Sequence, residues 1–227
     1  MAVDFSGNAN QRTPCVLVLD ASGSMNNSGG KGKTRIQELN EGIATLEKAL
    51  KEDDTAISRV QLGIVSVGGP SNDAQVMMDW TDANDFEAFP ITADGTTPLG
   101  KGVRIALEMV DEIKRDLKTS GINYTRPWMM VITDGEPTDS DFEWQQAVND
   151  CKAAEAAKKV EIFTIGVQGA NLAQLSQLSV RPSVQLDGLK FNELFLWLSS
   201  SLSAASRSRP GDNLNLPSAD PWRNVSM

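Results

Sequence analysis

Two apolar runs that each finish on an aspartate, "CVLVLD" (15–20) and "WMMVITD" (128–134), most constrain what this chain can fold into. Runs of Val, Leu, Ile and Met with no polar alternation are strands buried on both faces, and such strands belong to parallel sheets covered by helices on each side. The stretches between them fit that picture. Residues 14–20 read as a strand, and 33–52 carries Ile36, Leu39, Ile43, Leu46 and Leu50 at helical spacing. Strands follow at 59–69 and at 74–80, the latter at or near a sheet edge. A less regular stretch (81–96) leads to an amphipathic helix at about 98–119, then a strand at 126–134 and an Ala-rich helix at 140–158. A strand at 160–167, a short helix at 171–179, a strand at 183–187 and a closing helix at 190–205 complete the pattern. Alternation of this kind demands crossover connections, so the expected class is α/β: a doubly wound, mainly parallel central sheet with helices on both faces. Ligands in such folds bind beyond the carboxyl ends of the strands, where Asp20 and Asp134 both stand.

The domain is expected to run over 13–205, preceded by an N-terminal extension (1–12) and followed by a flexible C-terminal tail (206–227) rich in proline and without periodicity. The rival reading of the tail has Trp222 inserting into a partner. Trp80, Trp128, Trp144 and Trp197 lie within elements and are assigned to the core. A net charge of −9 speaks against nucleic acid and anionic membrane surfaces as partners. The start, "MAVDFSGNANQR", has neither the basic nor the apolar stretch of a signal peptide, and no apolar run is long enough to span a bilayer. With Cys15 and Cys151 both inside elements and expected to be free and buried, the expected location is cytoplasmic. The absence of histidine removes Ser–His and Cys–His nucleophile pairs and most zinc sites.

What remains is oxygen chemistry. In extended backbone, Asp20, Ser22 and Ser24 of "DASGS" point the same way. Thr97 precedes Pro98, a good first helical residue, and reads as the N-cap of the long helix. "ITDGEPTD" (132–139) supplies Asp134 before a glycine turn. Hydroxyls and carboxylates suit a hard cation such as Mg²⁺, with Mn²⁺ or Ca²⁺ as alternatives.

Together the three segments resemble the metal-ion-dependent adhesion site (MIDAS) of von Willebrand factor A domains: D-x-S-x-S, a distant Thr, and an Asp in a T-D-G turn. The resemblance implies that Ser22, Ser24 and Thr97 touch the metal, that Asp20 and Asp134 act through water or hydrogen bonds, and that a Glu or Asp of another protein completes the site. Thr96 adjoins Thr97, and the spacing to Leu99 and Gly100 favours Thr97. "GLKFNELFLWLSSSLSAAS" looks like the closing helix of the bacterial TerY group, associated with tellurium resistance. That likeness implies partners in stress signalling, such as a Ser/Thr kinase and a PP2C-type phosphatase.

The expected role is therefore metal-dependent protein binding and not catalysis. A scaffold or regulator with a purely structural metal is the alternative. An aspartyl-phosphate phosphatase using Asp20 as nucleophile is disfavoured because Ser22 stands where the second acid belongs. "NSGGKGKT" (27–34) ends like a phosphate-binding loop but starts with Asn27 and does not emerge directly from a strand, so it reads as a flexible glycine loop with Lys31 and Lys33 solvated. Glu136, Asp139 and Asp141 read as a solvated acidic rim and helix N-terminal charges, which repel acidic surfaces lacking a well-aimed carboxylate.

Overall fold

The first strand, β1 (Thr13–Ala21), sorts the molecule into two cores through the alternation of its side chains. Cys15, Leu17, Leu19 and Ala21 enter one apolar cluster, Val16 and Val18 the other. All nine residues are buried, which is why the run shows no polar alternation. The structure, a computed structural model, describes residues 10–30, 32–208 and 216–223. Residues 1–9 of the expected N-terminal extension, Lys31, and 209–215 and 224–227 of the expected tail lie outside the described residues.

After β1 come a 3₁₀ turn (Gly23–Asn26), a small hairpin of β2 (Ser28–Gly30) and β3 (Lys33–Thr34), α1 (Arg35–Lys51) and the single turn α2 (Ala56–Arg59). Then follow β4 (Val60–Gly68), β5 (Asp73–Asp82), α3 (Leu99–Thr119), β6 (Trp128–Thr133) and α4 (Asp141–Ala156). The chain closes with β7 (Glu161–Gly166), the single turn α5 (Leu172–Leu175), β8 (Val184–Gln185) and α6 (Phe191–Arg207). The six-stranded sheet has the order β5-β4-β1-β6-β7-β8, parallel except for β5, which pairs antiparallel with β4 at one edge. Helices α1 and α6 contribute Leu39, Leu46, Phe195 and Leu198 to the core that takes in Leu17. Helices α3 and α4 contribute Val103, Val110, Trp144 and Val148 to the core that takes in Val16. The doubly wound α/β class expected from the sequence is the architecture observed, with β5 at the edge. Strand order reverses between β1 and β6, and that switch point is where an open α/β sheet leaves a crevice.

Three local expectations differ from the structure. The helix expected over 171–179 is regular for one turn only; Gln177 and Leu178 then bond to carbonyls three residues back, a tightening that delivers Ser179 to Glu155 and the Ile162 carbonyl. Where an open glycine loop was expected, Ser28–Gly30 and Lys33–Thr34 pair as the β2–β3 hairpin; Thr34 closes a capping box with Gln37 on α1, and Lys33, exposed as expected, is paired with Glu41 at 2.6 Å.

The third difference is the tail. Residues 216–223 lie back on their own domain: Trp222 is 3% exposed and packs at a tilt with its ring centre 5.2 Å from that of Trp197, whose indole donates to the Pro217 carbonyl. Asp187 donates its backbone N–H to the Trp222 carbonyl, and Arg223 bridges Leu186 in antiparallel fashion beside β8. This stretch is therefore not a free tail, and Trp222 is not available to a partner. The anchor is physical: a large apolar ring finds the aromatic file of Trp128, Phe163 and Trp197 unfinished at its outer end. Trp222→Ala is expected to lower the unfolding free energy by about 2–3 kcal/mol in urea; a loss below about 0.5 kcal/mol would mean the segment is not part of the cooperative fold.

Candidate metal centre

The site is assembled where β1 and β6 end. Asp20 is fully buried, and both its carboxylate oxygens are occupied: Oδ1 accepts the Ser22 backbone N–H at 2.8 Å, and Oδ2 accepts the Thr133 hydroxyl. Burial pushes the Asp20 pKa up, and the hydrogen bonds from Ser22 and Thr133 oppose that rise. Ser22 is extended, but the chain turns into a 3₁₀ turn from Gly23. Ser24 therefore reaches the site through a turn, not through continued strand alternation. The Ser22 and Ser24 hydroxyl oxygens lie 3.0 Å apart, and Ser24 donates to Asp134 Oδ1 at 2.6 Å. Asp134 Oδ2 is paired with the Arg35 guanidinium.

Thr97 completes the cluster. A Cβ placed on Gly135, in the third segment, would stand 3.4 Å from Thr97 Oγ1 and 3.8 Å from both Asp20 Oδ2 and Ser24 Oγ, so oxygens of the other two segments converge beside it. The loops are laced by backbone bonds: Gly23 N–H to Gly95 O (3.0 Å), Asp94 N–H to Ala21 O (2.9 Å) and Thr138 N–H to Thr97 O (2.9 Å). The structure thus brings together all five residues singled out from the sequence. It also separates Thr97 from its neighbour. Thr96 is exposed, and both its N–H and hydroxyl donate to Asn72 Oδ1.

A family model for the von Willebrand factor type A domain matches residues 15–193. The chain belongs to that family. No curated protein matches the sequence significantly. Among solved structures, this vWA domain is similar to proximal thread matrix protein 1 from the mussel byssus, with TM-score 0.55 and 13% identity over 86% of this chain and 49% of that one. It is similar to the pilus adhesin SpaC from Lactobacillus rhamnosus GG in an open conformation, with TM-score 0.62 and 16% identity over 87% and 31%. The vWF domain of the type V pili tip protein Mfa5 from Porphyromonas gingivalis gives TM-score 0.61 and 12% identity over 89% and 99%. The chain spans half or less of the first two proteins. At these identities the likenesses concern the fold.

The donor set of this vWA domain fits a small hard cation. Neighbouring ligands on an octahedral Mg²⁺ with bonds of roughly 2.1 Å are about 3.0 Å apart, and the Ser22–Ser24 oxygen separation is 3.0 Å. Among the described residues no group of three or more His, Cys, Asp or Glu could hold a metal, so an ion here depends on the hydroxyls together with two carboxylates. The space at Gly135 is kept by the missing side chain.

Three contributing residues, Thr133, Gly135 and Arg35, were not singled out from the sequence. Asp139, which was, changes one assignment: Thr97 is not the N-cap of α3. The cap position is Pro98, and the first-turn amides of Gly100 and Lys101 donate to the Asp139 carboxylate at 2.8 and 3.0 Å. The Thr97 hydroxyl is thereby left for the cluster. Asp139 serves as a helix N-terminal charge, at the start of α3, while Glu136 and Asp141 are exposed. Both thiols are free and buried, and burial pushes their pKa values up, which makes them inert. No helix among the described residues is long and apolar enough to cross a membrane.

Proposed function

We propose that this vWA domain is a metal-dependent protein-binding module, not an enzyme, and that Mg²⁺, or Mn²⁺ or Ca²⁺ in its place, is held by the hydroxyls of Ser22, Ser24 and Thr97. Asp20 and Asp134 serve it through water or hydrogen bonds. The observation that carries this reading is the convergence of hydroxyl and carboxylate oxygens from β1, the loop before α3 and the end of β6 around Gly135. When bound, such an ion is a Lewis acid for the carboxylate of a partner's Glu or Asp. The chain's own residues do the rest. The Asp20 carboxylate fixes the Ser22 backbone, and Asp134 accepts the Ser24 O–H, so the Ser24 oxygen keeps its acceptor side free of its own proton. Exposed Glu136 and Asp141 repel acidic surfaces that lack a well-aimed carboxylate.

The arrangement favours binding over phosphoryl chemistry, because both Asp20 oxygens are buried and already accept hydrogen bonds, a poor state for a nucleophile. It favours an open ion over a purely structural one, because Ser24 is only half-buried and the neighbouring turn is exposed. The resemblance of α6 to the closing helix of the TerY group supplies the cellular setting of the proposal: a cytoplasmic stress or tellurium-resistance pathway, with a Ser/Thr kinase and a PP2C-type phosphatase as partner classes.

Affinity capture from native lysate in Mg²⁺ and in EDTA, with Asp20→Ala as control, tests this reading. Proteins retained only with Mg²⁺ and intact Asp20 are expected. The same proteins in every lane would overturn it.

A further inference from the structure

Arg35 is the cation that the structure places on the cluster. Its guanidinium pairs with Asp134 Oδ2, with the Arg35 side chain 14% exposed and that of Asp134 fully buried. Arg35 Nε is buried without a hydrogen-bond partner, so the pairing with Asp134 leaves one of the guanidinium's donors buried and unsatisfied. Its place on the helix is also unfavourable. Arg35 is the first residue of α1, where the helix dipole repels a positive charge. The Thr34–Gln37 capping box and the bond from Arg35 N–H to Asn27 O (3.1 Å) hold the backbone there. The Asp134 carboxylate offsets these costs.

We infer that Arg35 is a built-in competitor for the cation: guanidinium and divalent ion are alternative neighbours of Asp134, and the ion gains its full hold only as Arg35 releases Oδ2. This rests on the metal-binding reading above. Asp134 Oδ1 already accepts from Ser24, so Oδ2 is the oxygen left to face an incoming ion or its water, and Arg35 covers it. Two positive charges a few ångströms apart in a largely buried site repel strongly. Arg35 thereby sets the metal concentration at which the site fills. The release is felt where Arg35 sits, at the junction of the β2–β3 hairpin with α1. On this basis α1, which packs along α6 in one core, is the first element to register metal occupancy.

The test is a calorimetric Mg²⁺ titration of the wild-type chain, Arg35→Gln, Arg35→Lys and Asp20→Asn, with melting temperatures in EDTA and in Mg²⁺. Arg35→Gln is expected to bind Mg²⁺ at least about tenfold more tightly than wild type, and Arg35→Lys to stay within about threefold of it. In EDTA, Arg35→Gln should melt below wild type, and Mg²⁺ should close that gap. Arg35→Met, which keeps the aliphatic stem, serves if the glutamine variant fails to fold. Equal or weaker binding by the neutral variants would overturn the inference and make Arg35 a structural brace. If wild type and Asp20→Asn respond to Mg²⁺ alike, the metal reading itself falls, and this inference with it.

Discussion

Gly68→Ala is expected to cost the fold about 3–5 kcal/mol and to abolish the Mg²⁺ response together with it. Gly68 ends β4 with φ at +89°, a conformation that disfavours any residue with a Cβ. The added methyl would meet the Thr96 carbonyl oxygen at 2.5 Å and the Ser22 backbone at 3.0 Å. These are rigid backbone atoms of the two loops that carry Ser22 and Thr97, so neither can yield without moving a proposed ligand. Gly69, the next residue, donates its N–H to both Ala21 O and Asp94 O at 2.8 Å and would be pulled along. Urea unfolding followed by tryptophan fluorescence gives the loss directly. A variant within about 1 kcal/mol of wild type would show that the loops do not meet as tightly as described.

Asp20→Asn is expected to separate metal binding from stability. The folded-state pKa of Asp20 is raised, so its ionised form is held less favourably in the fold than in the unfolded chain. For an acid shifted in that direction, the stability it contributes is present at low pH and falls as pH rises through the folded pKa. At neutral pH without metal, removing the charge should therefore leave the melting temperature unchanged or higher. The amide oxygen still accepts from Ser22 N–H, so the loop keeps its anchor. Mg²⁺ affinity, by contrast, should fall about 10–100-fold, the usual effect of losing a partner that orients metal ligands. Thermal melts in EDTA and a Mg²⁺ titration check the two halves. A lower melting temperature in EDTA with intact affinity would reverse the assignment.

The fold was legible because its central strands declare themselves. β1 and β6 are buried on both faces, so burial writes unbroken apolar runs, and the helices between them carry a clear amphipathic period. Asp20, Ser22 and Ser24 were legible as a local pattern, although the physical route differs. A 3₁₀ turn, and not strand alternation, brings Ser24 to Ser22. What could not be read locally were partners far apart in sequence. Thr97 looked like a cap because Pro98 follows it; the actual capping carboxylate, Asp139, lies about forty residues on and leaves no local mark. Nothing in the sequence around Arg35 marks it as a site residue, and only the tertiary structure sets it against Asp134. The segment around Trp222 lacks periodicity because a single aromatic ring and a few backbone bonds, not an amphipathic face, hold it down.

The central claim is that a cation sits among Ser22, Ser24 and Thr97, and crystals grown with Mn²⁺ test it most directly. An anomalous difference map is expected to show one peak bonded at about 2.1 Å to the hydroxyl oxygens of these three residues, with Asp20 and Asp134 within reach of its waters. A map without a peak there, from protein that retains its partners in Mn²⁺, would contradict the claim and place the binding surface elsewhere on the domain.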